Sequence, residues 1–321
     1  MAPLLRRGSI DTYQETSRKQ RSKKMRKKLA VLLMCVMAVA SLAGCSESNA
    51  AENPYGLEEF VMVLIPGEDS EKDVQLRDEM AQHMSEAIGI PVTTYRATDY
   101  NAAVEAMRTG QAQLALLGPF AYVTAVERAG AECICVTATD GATGYYSYIV
   151  TRADSGIESI EDLEGKTFAF VDPSSTSGNV VPSNEILNAI DNRISFDELH
   201  ADGMFFKSAT FAGTHPSALQ AVIQGNVDAA AVSSNTLQNQ IDEGLVSEDE
   251  IKVIHQSPLI PGSPLAIQKD LPQELKDKVT EFLLNYDDEE YFGAPNKNYV
   301  AIEDSEYDYI RELQQKYNLT D

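Results

Sequence analysis

Two rhythms alternate along residues 58–320. Short apolar runs predict strands at Phe60–Ile65, Pro91–Tyr95, Gln113–Leu117, Glu132–Thr137, Tyr146–Thr151, Thr167–Val171, Gly203–Phe206, Val227–Val232, Ile251–His255 and Leu265–Lys269. Helical spacing lies between them, at Lys72–Ala87 (Leu76, Met80, Met84, Ala87), Tyr100–Arg108, Phe120–Ala129, Asn179–Ile190, Pro216–Gln224, Thr236–Asp242, Glu274–Asn285 and Glu306–Tyr317. Ile160–Leu163 reads as one helical turn. Such alternation predicts an α/β protein with mostly parallel sheets flanked by helices. The pattern runs in two similar blocks, one to about residue 148 and one from about 152 to 255. The stretches near 148–152 and 255–266 are the candidate crossings between them. No short-period repeat is visible, which excludes solenoids and propellers.

Composition places the chain among globular proteins: 321 residues, 43% hydrophobic, 23% charged. The charge is uneven. Of 26 Lys+Arg and 49 Asp+Glu, ten basic and two acidic residues fall within 1–44, so the other 277 positions carry 16 basic against 47 acidic residues, a net −31. A broad basic surface for nucleic acid is excluded. Any anion must be held by local dipoles and donors, because the global field repels it. The acidic stretch Asp242–Glu250 reads as solvated surface.

The N-terminus reads as an address. Lys23-Lys24-Met25-Arg26-Lys27-Lys28 is a basic segment, Leu29–Ala40 is an apolar run of 12, and Leu42-Ala43-Gly44-Cys45 follows. The run is too short to span a bilayer and suits a signal peptide over 25–44. Small residues before Cys45 resemble a bacterial lipobox, in which that Cys is lipidated and becomes the mature N-terminus; the alternative is a short buried helix ending in Cys. Residues 1–24 form a possible start-site extension, and 45–57 a small, polar tether. A lipid-anchored protein on the extracytoplasmic face of a bacterial cell membrane is therefore expected, held by more than one acyl chain. Cys133 and Cys135 stand two apart in an apolar strand, on one face, where a disulfide forms poorly. With His only at 83, 200, 215 and 255, they read as buried thiols rather than metal ligands.

The most informative segment is Thr167–Asn179, in which a strand turns through Asp172-Pro173 into Ser174-Ser175-Thr176-Ser177-Gly178 and a helix. The helix start presents unpaired N–H groups and the positive dipole end, and the hydroxyls add donors. That is an oxyanion cradle without formal positive charge; the plainer reading is an ordinary N-cap, which needs one hydroxyl. No Gly-Lys-Ser/Thr follows, so this is not a nucleotide P-loop.

Asp172-Pro-Ser-Ser-Thr-Ser-Gly178, Gly144-Tyr-Tyr-Ser147, Gly213-Thr-His215, Val227-Asp-Ala-Ala230 and Ser257-Pro-Leu-Ile-Pro-Gly-Ser-Pro264 together resemble the phosphate/phosphite/phosphonate-binding proteins of ABC importers, over about residues 58–320. The resemblance implies a type II periplasmic-binding-protein fold, with lobe 1 at 58–148 completed by 258–321, lobe 2 at 149–257, and ligand in the interlobe cleft. It implies a phosphoryl site of Ser175, Thr176 and Ser177, completed by Tyr100, Tyr145 and His215, with Tyr146 able to exchange roles with Tyr145. Where members selective for aminoalkylphosphonates keep carboxylates, the register here gives Asn235 and Ser263. A compact anion such as phosphate, phosphite or a small phosphonate is therefore expected, since a buried ammonium wants a counter-charge.

The resulting expectation is a monomeric solute-binding protein with no cofactor or metal, no enzymatic activity, and an ABC permease as partner. It would work by lobe closure on the ligand. The alternatives are a ligand-sensing module for a signalling partner and, from another class, an extracytoplasmic phosphatase. The latter would call for a metal cluster or a nucleophile with a positioned base.

Overall fold

The computed structural model describes residues 55–67 and 71–319. The signal segment, Cys45 and most of the tether lie outside the described residues. The strands are β1 (Phe60–Leu64), β2 (Val92–Arg96), β3 (Leu114–Leu116), β4 (Ala131–Thr139), β5 (Ser147–Arg152), β6 (Thr167–Phe170), β7 (Ser208–Phe211), β8 (Ala229–Ser233), β9 (Ile251–Gln256), β10 (Leu265–Gln268) and β11 (Lys297–Ala301). The helices are α1 (Glu71–Ile88), α2 (Tyr100–Arg108), α3 (Pro119–Ala129), α4 (Val181–Ala189), α5 (Phe196–His200), α6 (His215–Ile223), α7 (Ser234–Asp242), α8 (Gln273–Leu284), α9 (Glu289–Phe292) and α10 (Asp308–Tyr317).

Two mixed sheets result, ordered β11-β4-β10-β3-β1-β2 and β7-β6-β8-β5-β9. We call the first sheet and its helices lobe 1 and the second lobe 2. The strand sets β2-β1-β3 and β7-β6-β8 are parallel. The antiparallel strands β4, β5, β9 and β10 flank the two crossings between lobes. The parallel strands follow buried apolar runs, such as Ala229–Ser233, every residue of which is buried. On α1, Leu76, Met80, Met84 and Ile88 form a buried stripe, of which Met80, Met84 and Ile88 share a core with Leu275, Val279 and Leu283 of α8.

The crossings themselves differ from the sequence expectation. Residues 148–152 belong to β5 inside the second sheet, so the first crossing falls earlier, around Asp140–Tyr146; the second is Ser257–Pro264. The two run side by side, joined by Tyr145 N–H to Ile260 O (3.0 Å) and Ile260 N–H to Tyr145 O (2.8 Å). Both need glycine at the contact. A Cβ on Gly144 would sit 2.9 Å from Ile260 O, and one on Gly262 would sit 2.4 Å from Thr143 O.

Three further differences have physical causes. Gly203–Phe206 is a turn rather than a strand: Phe205 and Phe206 are buried as core aromatics, with Phe206 stacked on Phe168 at 4.6 Å. The strand is Ser208–Phe211, a half-exposed edge without an apolar signal. The edge strand β11 was likewise hidden, because of its five residues only Tyr299 is buried. Finally, Cys133 and Cys135 face opposite sides of β4. A register shift against β10 pairs Ala266 with Cys133 and Leu265 with Cys135, which breaks the two-residue alternation. Cys133 packs with the cluster around Tyr122, Cys135 with the cluster around Met84; both thiols are free.

Candidate functional site

The lobe 2 wall is built where β6 ends. Asp172 Oδ1 accepts the Ser174 N–H (2.7 Å) and Asp172 O accepts the Ser175 N–H (2.9 Å), closing the turn. Ser175 Oγ caps the next turn by accepting the Gly178 N–H (3.1 Å). The Val180 N–H then reaches back five residues to Ser175 O (3.0 Å), so Thr176–Val180 is a wide π turn before α4 begins. This brings Gly178 against β6: a Cβ there would lie 2.4 Å from the Val171 side chain. Behind the loop, Asn179 Nδ2 donates to Pro173 O (2.8 Å), and Asn179 Oδ1 faces His200 Nε2 at 2.6 Å. Ser175, Thr176 and Ser177 end up no more than 2% exposed.

The lobe 1 wall comes from two helix starts. Asp99 Oδ1 caps α2 by accepting the Ala102 N–H (2.7 Å), which sets Tyr100 at the first helical position. Gly118 precedes α3 with no side-chain cap, and Pro119 follows. The Phe120 N–H there donates across the cleft to Thr176 Oγ1 (2.8 Å). The Tyr100 hydroxyl lies beside the Ser175 side chain, and the Asp172 carboxyl faces the Tyr100 backbone. From the first crossing, Tyr145 places its hydroxyl beside Ser177, Ser263 and Thr176. The structure thus brings Tyr100, Tyr145, Ser175, Thr176, Ser177 and Ser263 into one buried polar cluster. Tyr146 is turned away and stacks on Tyr148.

Burial raises both Tyr100 and Tyr145 above the ordinary phenol range, so each keeps its proton. Burial also raises the Asp172 carboxyl. The cluster offers hydroxyl donors and one helix start, met by Thr176 Oγ1 from the other wall, which is chemistry suited to an oxyanion.

His215 opens α6 and lines a neighbouring cavity of about 590 Å³ together with Arg96. Its Nδ1 accepts the Ser233 N–H (3.1 Å), so Nε2 carries the proton. Burial lowers it to about 4, leaving a neutral imidazole with one donor. The sequence left open which nitrogen donates and whether the ring is charged; the strand end at Ser233 decides both. Asn235 stands apart, exposed on the first turn of α7, while the side chain of its neighbour Thr236 faces the cavity. The Val227–Ala230 motif is a structural clip: Asp228 Oδ2 accepts Thr167 N–H (2.7 Å) and Thr167 Oγ1–H (2.8 Å).

Sequence reasoning missed the Phe120 N–H, Asp172 and Arg96. Gly118-Pro119 did carry a signal, since glycine before a proline-opened helix leaves the first N–H groups uncapped. Nothing local marked Arg96, whose place depends on β2 pairing with β1. Among the described residues there is no group of three or more His, Cys, Asp or Glu able to hold a metal, and no helix is long and apolar enough to cross a membrane.

Residues 62–307 match the family model for the ABC transporter, phosphonate, periplasmic substrate-binding protein. The chain is 34% identical over 210 residues to the phosphonates-binding periplasmic protein of Escherichia coli K12, covering 64% of this chain and 59% of that protein, so it spans about three fifths of that relative's length. It is 33% identical over 258 residues to the phosphate-import protein PhnD of Mycolicibacterium smegmatis, covering 78% and 79% respectively. The crystal structure of a binding protein component of an ABC phosphonate transporter from Pseudomonas aeruginosa superposes with a TM-score of 0.69 at 28% identity, over 82% of this chain and 87% of that one.

Proposed function

Because the chain belongs to the family of periplasmic substrate-binding proteins of phosphonate ABC transporters, we propose that it captures a phosphorus oxyanion by lobe closure and delivers it to an ABC permease. The family is a transport component rather than an enzyme, and its two-sheet α/β architecture is that of type II periplasmic binding proteins.

One observation carries the ligand reading: Thr176 Oγ1 receives a backbone N–H from the opposite lobe within a cluster of otherwise hydroxyl groups. Hydroxyls gathered this closely can turn their donors to phosphoryl oxygens at little desolvation cost. Ser175, Thr176, Ser177, Tyr100, Tyr145 and His215 Nε2 are the proposed donors, with Ser263 supporting Tyr145 and Asn235 at the rim. Bridging both walls, the ligand favours the closed state because only that state offers donors from both. Neutral donors also suit a chain whose body is strongly acidic, since they need no counter-charge of their own.

Lipidation at Cys45, a monomeric state and a tether through 45–57 belong to the same proposal, supported by Leu42-Ala-Gly-Cys after the apolar run. A thermal-shift panel of phosphate, phosphite, methylphosphonate and 2-aminoethylphosphonate tests the ligand class. A ligand at 100 times its Kd should stabilise by about 2.7 kcal/mol; no shift with any member at millimolar concentration would sink the reading. Cys45→Ala should release the protein from membranes and remove acyl mass.

A further inference from the structure

A polar network braces the hydroxyl loop from behind. Asn179 stands in the π turn that starts at Thr176, and its amide spans the loop: Nδ2 donates to Pro173 O (2.8 Å), while Oδ1 faces His200 Nε2 at 2.6 Å. On the other side of the ring, His200 Nδ1 lies 2.8 Å from Phe196 O. Ser183 Oγ completes the set, 3.3 Å from Nε2 and 3.4 Å from Asn179 Oδ1. Asn179 is 2% exposed and Ser183 fully buried, so both find their partners within the protein.

A neutral ring cannot satisfy this network. Both imidazole nitrogens face oxygens, and a neutral imidazole donates from only one of them. With the proton on Nδ1, the Nε2 lone pair meets Asn179 Oδ1; with the proton on Nε2, the Nδ1 lone pair meets Phe196 O. Turning the Asn179 amide over moves the conflict to Pro173 O. The doubly protonated ring satisfies every contact, with Nδ1–H donating to Phe196 O and Nε2–H to Asn179 Oδ1. Phe170, Phe196 and Phe211 stand around it with ring centroids at 4.4, 4.7 and 5.6 Å, and aromatic faces attract a cation.

Burial works against that charge and lowers the ring from its ordinary 6.5, while Asp197 on the same helix favours it. The neighbours from β6, β7, the π turn and α4 are Phe170, Phe211, Asn179 and Ser183, none of which titrates. α10 meets Phe196 through Tyr317 (4.9 Å), and its cation Lys316 is held by Asn184 and Asn188 of α4 (2.8 and 3.3 Å). An anion in the cradle tips the balance, because an opposite charge nearby favours the charged ring.

We propose that His200 is a positioning residue that takes up a second proton when a phosphorus oxyanion enters the cradle, so that ligand binding is coupled to proton uptake behind the hydroxyl loop. The proton comes from solvent and adds to the unprotonated ring nitrogen. The added N–H completes the contacts that hold Asn179, and with it the turn that carries Thr176 and Ser177. His215 is unsuited to this role, because its Nδ1 already accepts the Ser233 N–H. The inference rests on the phosphoryl reading above.

Calorimetry with methylphosphonate at pH 7, repeated in buffers of different ionisation enthalpy, counts the protons taken up on binding. Wild type should take up at least about half a proton more than His200→Gln, which keeps a donor for Asn179 Oδ1 but cannot be protonated. Equal uptake in the two overturns the proposal and leaves the phosphoryl site standing. Failure of wild type to bind methylphosphonate, phosphate or phosphite overturns both. Imidazole 15N spectra of wild type decide the matter even where the variant fails to fold, since the chain has only four histidines to resolve. His200 should show one protonated ring nitrogen in the free protein and two with methylphosphonate bound. One in both states, or two in both, overturns the assignment.

Discussion

The hydroxyl cradle and the chamber lined by His215 share neither residues nor chemistry. In the cradle, Ser175, Thr176, Ser177, Tyr100 and Tyr145 are almost fully buried and neutral, with Ser175 and Thr176 each accepting a backbone N–H. The chamber, of about 590 Å³, is lined by Arg77, Arg96, Asp73 and Glu243, which are half-buried or exposed. The difference follows from desolvation. An ion buried without a partner costs several kcal/mol, so a site that must close tightly is better made of dipoles. Where water remains, charges cost little and discriminate by sign. On the proposed function, the cradle is the part that supplies affinity for the phosphoryl group.

The strongest way to break the cradle without touching the chamber is Gly178→Ala. The added methyl would lie 2.4 Å from Val171 and 2.8 Å from Ser175 Oγ. Overpacking of this kind costs about 1–3 kcal/mol of stability and should also displace the hydroxyl loop. We expect a lowered melting temperature and a greater loss of phosphonate affinity than any single hydroxyl deletion gives. A variant with wild-type Kd would show that the loop tolerates movement and that the cradle is not preorganised.

Thr176→Ala should come next. It removes a donor to the ligand and the acceptor of the Phe120 N–H, and should weaken binding by about 1.5–3 kcal/mol, or about 10- to 100-fold in Kd. Unchanged affinity by calorimetry in a folded variant removes Thr176 from the cradle.

Acid probes the boundary between the compartments. His215 is held neutral, with burial lowering it from its ordinary 6.5 to about 4. The folded state then binds fewer protons than the unfolded state between those values. His215 thus contributes stability that is present above about pH 6.5 and lost as pH falls towards 4. Buried His200 is lowered too and acts in the same direction, whereas burial raises Asp172 and opposes it at lower pH. Melting temperature should fall between pH 6.5 and 4.5, and His215→Asn should flatten that fall. An identical profile in the variant would place the titration elsewhere.

The smallest effect sharpens the comparison between buried and rim positions. With neutral Asn235 and Ser263, 2-aminoethylphosphonate should bind more weakly than ethylphosphonate. Ser263→Asp, half-buried beside Tyr145, should narrow or reverse that order, while Asn235→Glu, exposed on α7, should change it little. A tenfold wild-type preference for the amine, about 1.4 kcal/mol, would mean that a wall carboxylate such as Glu243 or Asp73 reaches the ligand.

Sequence alone determined the rhythm of the fold and the kernel of the site. Period-two and period-3.6 patterns are local, so buried strands such as β8 and amphipathic helices such as α1 could be read directly. The hydroxyl run at Ser174–Ser177 was legible for the same reason: strand, turn and helix start are contiguous in the chain. Edges were not legible, because β7 and β11 bury too little to leave a pattern. Nor were the opposite faces of Cys133 and Cys135, set by a register shift against the distant β10. Only the tertiary structure delivered the Phe120 N–H to Thr176, fixed the His215 proton on Nε2 through Ser233, and set Arg96 against Ile65 O. The first two depend on partners 56 and 18 residues away, the last on the pairing of two strands. Local composition cannot encode such a distance; packing of the two lobes decides it.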